Sequence, residues 1–194
     1  NFIKKSIYVG DIENSAIENA KLRLCLSLIL DEEDYDNILP LPNLDYKIFK
    51  GDSLLSLETN LLGLEKKDEI ISLKNKYFQI TNIKQKLELK KKIDLEFNSI
   101  MDGQVSFDFK IFFQEVFDQK EGFDLIIGNP PYVQIQKIKD RLYKSNLRDE
   151  YKVFTGNGDL YCLFFEKGRD LLNNKGCLAY ITSNKWLKSA YGNQ

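Results

Sequence analysis

The sequence predicts an α/β protein built on parallel strands, with a pair of helices set between two of them. Three observations predict it. Two short β-type runs, Ser6-Ile-Tyr-Val-Gly10 and Tyr46-Lys-Ile-Phe49, are each followed within three residues by an acid, Asp11 and Asp52. A third run, Leu125-Ile-Ile127, is unbroken and apolar and stops at Gly128 before two consecutive prolines. Between the second and third runs the chain turns rich in lysine and glutamate, with apolar residues at three- and four-residue spacing. Strands alternating with helical periodicity argue for crossover units and a parallel sheet.

The first strand leads through Asp11-Ile12-Glu13 into a helix. Ser15 and Glu18 have capping-box spacing, and Ile17, Ala20, Leu24 and Leu28 recur at helical intervals. Strand, acid, helix is half of a Rossmann-like unit, in which an acid at a strand tip holds the ribose hydroxyls of a nucleoside cofactor. After a polar, proline-punctuated loop, Asp31–Asn43, comes the second run and Gly51-Asp52-Ser53-Leu54. That tetrad is also the signature of a group of serine esterases. Those enzymes need a histidine base, and the sequence contains no histidine.

Ile70, Leu73, Tyr77 and Ile80 form one apolar stripe; Leu89, Ile93, Phe97 and Ile100 form another. Asn82, with Gln85, suits the start of the second helix, so an antiparallel helical hairpin is expected here. Glu88-Leu89-Lys90 has a form found in nucleases, but it falls in mid-helix and reads as a solvated face. An aromatic stretch, Phe107–Phe117, leads into the third strand, which is expected to be interior and buried on both faces. Gly158-Asp-Leu-Tyr161 opens a helix with Leu160, Phe164, Leu171 and Leu172 on its buried side. Asn173-Asn-Lys-Gly176 should stop it. Cys177–Ile181 then reads as another buried strand tipped by Thr182–Trp186, with Trp186 in a core or interface.

Composition narrows the chemistry. The chain has 194 residues and a net charge of -1. It therefore lacks the basic excess of a self-sufficient nucleic-acid binder. Without histidine, Ser-His and Cys-His nucleophile chemistry and most zinc sites are excluded, and no metal is expected. Cys25, Cys162 and Cys177 have no paired spacing and read as small core residues in a reducing compartment. No apolar run is long enough to span a bilayer and no signal peptide is visible, so the expected location is cytoplasmic.

The chemistry-bearing stretch is Asn129-Pro130-Pro131-Tyr132. Neither proline can donate a ladder hydrogen bond, and both fix φ, so the loop after the third strand is stiff. The C-terminal edge of an open α/β sheet is where ligands bind. The Asn129 side-chain oxygen and the Pro130 carbonyl can accept both hydrogens of a planar amino group, which frees its nitrogen lone pair for attack. Tyr132 can stack on the substrate's flat face. Such catalysis is positioning plus electrostatics, with no covalent intermediate.

Asn129-Pro-Pro-Tyr132 after a hydrophobic strand resembles the catalytic loop of S-adenosylmethionine-dependent amino-group methyltransferases. It is most similar to adenine-specific (N6) DNA methyltransferases of type II restriction–modification systems, of the kind fused to a nuclease. Glu115-Val-Phe117 and the order Asp-Leu-Tyr helix, Gly turn, strand, Trp-Leu segment resemble the same family, so the likeness runs almost the whole chain. It implies a Rossmann-like methyltransferase fold, partial here. The first strand with its Gly-rich cofactor loop is expected upstream. The last strands and a target-recognition domain are expected downstream in the same polypeptide.

The implied parts are a cofactor side, 1–60, an inserted helical hairpin, 61–105, and a catalytic part, 106–194. The resemblance implies Asn129, Pro130, Pro131 and Tyr132 as the catalytic loop. It gives Asp11, Ile12, Asp52 and Ser53 as contacts to S-adenosylmethionine, with Asp159 and Tyr161 lining the cofactor or substrate edge. Double-stranded DNA would be the partner, its target base extruded from the stack. Lys137, Lys139, Arg141 and Lys144, in a segment that continues through Arg148 to Lys152, could meet phosphates; a solvated lid is the alternative. Methyltransferases acting on a glutamine amide or on guanine N2 in RNA share the tetrad, and a non-catalytic segment serving DNA docking or assembly is a third reading. Because no Gly-rich turn precedes Asp11, the 194-residue chain alone is expected to bind S-adenosylmethionine weakly or not at all. Isothermal titration checks this, and micromolar binding contradicts it.

Overall fold

The computed structural model describes residues 6–30, 44, 46–56, 61–101 and 108–184. Asp31–Asn43, Phe107, Lys185 and Trp186 lie outside the described residues, as do the side chains of Leu28 and Ile100. The chain divides into two compact units, Asn1–Gln114 and Glu115–Gln194. Each contains one two-stranded parallel sheet among its described residues, so the fold is a mixed α/β one with parallel pairing. No described helix is long and apolar enough to cross a membrane.

In the first unit, β1 (Val9–Asp11) pairs with β2 (Ile48–Lys50) in the register Val9↔Ile48, Gly10↔Phe49, Asp11↔Lys50. Helix α1 (Asn14–Leu30) packs Ile17 against Ile48 and Leu44, with Val9, Leu24 and Cys25 partly buried around them. The Ser15–Glu18 box is not the cap. Asp11 has already turned the chain by accepting from the Glu13 amide at 2.8 Å. The helix therefore starts two residues earlier, with Ile17 N–H on the Glu13 carbonyl at 3.2 Å, and Glu18 reaches forward to Lys21 instead.

The hairpin consists of α2 (Leu61–Gln79) and α3 (Ile83–Met101). Of the two stripes, Ile70, Leu73, Tyr77, Ile93 and Phe97 are buried, while Ile80 and Leu89 are half-buried. Asn82 caps α3, its side-chain oxygen accepting from the Lys84 and Gln85 amides at 3.0 and 3.2 Å. Rings join the hairpin to β2 and to the short helix α4 (Phe109–Phe112). Tyr46 meets Tyr77 edge-on at 5.2 Å, Phe49 meets Phe97 at 5.6 Å, and Phe97 stacks on Phe112 at 4.5 Å. The buried Lys74 donates to the Phe112 carbonyl at 2.6 Å. The bond gives the buried ammonium a backbone acceptor at the end of α4.

The second unit begins in α5 (Gln114–Lys120) and holds β3 (Phe123–Gly128), α6 (Arg141–Glu150), α7 (Tyr161–Leu171) and β4 (Leu172–Tyr180). β3 and β4 run parallel, from Leu125↔Cys177 to Gly128↔Tyr180. The expected stop at residues 173–176 is a bulge inside β4, because Leu172 already pairs with Phe123. Asn173 shapes it, donating to Asp124 at 2.8 Å and accepting from the Lys175 amide at 2.9 Å. Gly176 is required for space, since a Cβ there would lie 2.7 Å from the Phe123 carbonyl oxygen.

β3 is not buried on both faces. Leu125 and Ile127 are 52% and 74% exposed. Among the described residues β3 pairs only with β4, and α7 covers one face of the pair. There Leu178 and Tyr180 come so close to Gly168 that a Cβ would sit 2.8 Å or less from each. Burial pushes the Tyr180 hydroxyl up to about 12, so it stays protonated and donates to the Phe164 carbonyl at 3.3 Å. Cys177 shares the uncovered face with Leu125 and Ile127, and is accordingly exposed rather than core.

Between α6 and α7 the chain is held by Glu166, a buried carboxylate that accepts from the Lys152 and Val153 amides at 3.2 and 3.0 Å. Two predictions follow from this packing. Phe97→Ala should destabilise the chain by about 3–5 kcal/mol in denaturant unfolding, since the ring is buried between Phe49 and Phe112. Glu166→Leu leaves two amides without their acceptor, and should speed hydrogen exchange at Lys152 and Val153 while costing about 2–4 kcal/mol.

Candidate functional site

Two groups of residues carry chemistry, one in each unit. In the first, parallel pairing brings the ends of β1 and β2 to the same edge, where the Gly51 amide donates to the Asp11 carbonyl at 2.9 Å. Asp11 and Asp52 therefore stand side by side at neighbouring strand tips. Each turns one carboxylate oxygen back on its own chain: Asp11 accepts from Glu13 N–H at 2.8 Å and Asp52 from Leu54 N–H at 2.9 Å. These local bonds fix the side chains and leave acceptor capacity on both. Ile12 beside them is exposed and Ser53 half-buried. Two immobilised acceptors beside an exposed apolar side chain suit a ligand with a hydroxyl-bearing ring and a flat apolar face. A nucleoside has that chemistry.

In the second unit, Asn129-Pro130-Pro131-Tyr132 leaves the C-terminal end of β3. Asn129 and Pro131 are exposed and Pro130 is buried. Tyr132 is 57% exposed, yet its hydroxyl donates to the Ile181 carbonyl at 3.0 Å. Ile181 in turn donates its N–H to Gly128 at 3.1 Å. The tetrad is thus a short arch whose two ends rest on one residue.

Past Tyr132 the chain runs antiparallel to the start of α7. Gln134 bridges Asp159, Leu160 N–H reaches the Val133 carbonyl at 2.7 Å, and Ile135 N–H reaches that of Gly158 at 2.9 Å. Asp159 is half-buried. Tyr161, expected to line an edge, is only 1% exposed and its ring stands perpendicular to that of Tyr132, centroids 6.0 Å apart. It supports the loop from beneath. Burial pushes the neighbouring Cys162 thiol up, which disfavours its thiolate.

The basic segment begins at Lys137, in a single helical turn (Ile135–Lys137). Lys137, Lys139 and Arg141 are exposed and Lys144 is half-buried. Asp140 caps α6 by accepting from the Tyr143 amide at 3.0 Å. Arg141, Lys144 and Arg148 share a helical face by spacing, with Arg148 lying 5.6 Å from the Phe154 ring. The Ile181 carbonyl was not foreseeable: it is a backbone group far along the chain, and no side-chain pattern announces it.

The chain matches the family described as Eco57I restriction-modification methylase over residues 5–194. It is 39% identical over 70 residues to the type II methyltransferase M.BstVI of Geobacillus stearothermophilus, covering 36% of this chain and 12% of that protein. It is 36% identical over 70 residues to the type II methyltransferase M.XhoI of Xanthomonas vasicola, covering 36% of this chain and 13% of that protein. The type II restriction enzyme and methyltransferase RM.Eco57I of Escherichia coli is 33% identical over 72 residues, 34% of this chain and 7% of its own length. The matched stretch thus spans only a small part of each relative. No solved structure matches the chain. With a family match running from residue 5 to the last, the chain belongs to the Eco57I restriction-modification methylase family.

Proposed function

We propose that this chain is the central part of an enzyme that transfers a methyl group from S-adenosylmethionine to the N6 amino group of adenine in double-stranded DNA, working in the cytoplasm within a longer polypeptide. The observation that carries the reading is the Asn129–Tyr132 arch, a stiff loop at a strand's C-terminal end with an exposed amide and an exposed but tethered ring. Membership of a restriction–modification family favours DNA over a glutamine amide or RNA guanine as acceptor. It also favours a catalytic role over one confined to docking.

Asp11 and Asp52, with Ile12 and Ser53, are the residues that would hold the donor. Their paired acceptors at adjacent strand tips fit the ribose hydroxyls and adenine amino group of a nucleoside. When bound, the donor supplies an electrophilic methyl group. Asn129 and the Pro130 carbonyl accept the two hydrogens of the target amino group, which draws its nitrogen out of conjugation and exposes the lone pair. Pro130 and Pro131 keep those acceptors from rotating away, so little reorganisation is needed at the moment of reaction. Tyr132 stacks on the extruded base. Lys137, Lys139, Arg141 and Lys144 meet phosphates beside the target. The parallel strand pair of each unit is read as part of a Rossmann-like methyltransferase fold.

Two substitutions in the full-length enzyme test the assignment. Asn129→Ala should lower methyl incorporation by about 100-fold or more while donor and DNA affinity persist; retained turnover removes the mechanism. Asp52→Ala should weaken donor binding roughly tenfold in a titration with S-adenosylmethionine and leave DNA affinity unchanged.

A further inference from the structure

Tyr132 combines two properties that rarely coincide. It is 57% exposed, and an exposed side chain ordinarily samples several rotamers. Yet it is restrained from two sides. Its hydroxyl is bonded to the Ile181 carbonyl at 3.0 Å, and its ring meets that of Tyr161 at 90° with centroids 6.0 Å apart. Tyr161 is itself 1% exposed at the start of α7, so it has no room to turn aside. The next residue, Val133, is strapped to Leu160 at 2.7 Å, and Ile181 is anchored to Gly128 at 3.1 Å.

From this geometry we infer that Tyr161 and the Ile181 carbonyl are positioning groups. They set the plane of the Tyr132 ring before any base arrives. The inference rests on the reading of Tyr132 as the ring on which the target adenine stacks. A free ring would have to be ordered by each incoming base, with loss of rotamer entropy at that step. A ring held in advance presents one stacking plane and fixes where the amino group falls relative to Asn129. Edge-to-face packing on Tyr161 opposes tilting of the ring, and the hydroxyl bond opposes rotation about its stem. Neither group touches the base.

The test uses the full-length enzyme, with methyl transfer to a duplex bearing its site and with 2-aminopurine in place of the target adenine. Tyr161→Leu removes the perpendicular ring and should lower kcat by about 10- to 100-fold, with KM for DNA moving less than about threefold. Tyr161→Phe keeps the ring and should restore kcat. Tyr132→Phe keeps the stack, loses the tether, and should lower kcat by about three- to tenfold. In Tyr161→Leu the fluorescence of the extruded 2-aminopurine should change at unaltered DNA affinity, a signature that simple loss of stability would not produce. A folded Tyr161→Leu enzyme with unchanged kcat and fluorescence overturns the inference. Should that variant fail to fold, Tyr132→Phe decides alone, because it alters only one exposed ring, and an unchanged kcat overturns the inference. If Asn129→Ala also turns over normally, the functional reading beneath has failed. If Asn129→Ala is inert while the tyrosine variants match wild type, only the positioning roles have failed.

Discussion

The parallel ladder between β3 and β4 is the constraint on which the geometry of the second unit rests. From Leu125 to Gly128 the two strands advance in step, so the residue after β4 arrives beside the residue that closes β3. Ile181 can then bond Gly128 on one side and Tyr132 on the other. A one-residue slip would turn every β4 side chain to the opposite face. It would also carry the Ile181 carbonyl away from the loop. The bulge at residues 173–176 matters for the same reason, since it absorbs the extra chain before the ladder settles into register. Gly176 and Gly122 both lie where a side chain would strike backbone of the bulge or its partner strand.

The first unit uses a different device for a similar end. Its short strands contribute few ladder bonds, and rings join its aliphatic core in holding it together. Tyr46, Phe49, Tyr77, Phe97, Phe112 and Phe113 make a continuous set of edge and stacked contacts. They tie β2 to both helices of the hairpin and to α4. Because Asp52 lies two residues beyond β2, the hairpin steadies the strand tip that carries it. That gives the hairpin a structural role whatever else it meets.

Much of this was legible in the sequence. Periodicity found both hairpin helices and their buried stripes, and Asn82 marked the start of α3. The proline pair located the loop, and the acids after the first two runs located the strand tips. The failures share one origin. Leu125, Ile127 and Cys177 are apolar enough to read as interior, but burial depends on what covers a strand, and the strand's own residues do not encode that. Ser15 and Glu18 have the letters of a cap, yet Asp11 turns the chain earlier. Tyr161 was expected to line the cofactor or substrate edge, and the structure shows it buried against the Tyr132 ring. Hydroxyl-to-carbonyl contacts between residues almost fifty positions apart leave no local signature.

Tyr46 shows how tightly two of these demands are joined. Its φ of 62° puts a bulky side chain in the left-handed region, which costs about 1–3 kcal/mol. The usual remedy for such strain is glycine. Here glycine would relax the main chain and at the same moment delete the ring that meets Tyr77, Phe49 and Phe97, together with the hydroxyl that reaches Lys90 and Asp94 on α3. A substitution chosen by backbone statistics alone would therefore unfasten the hairpin from the sheet, so consensus engineering should leave this position untouched.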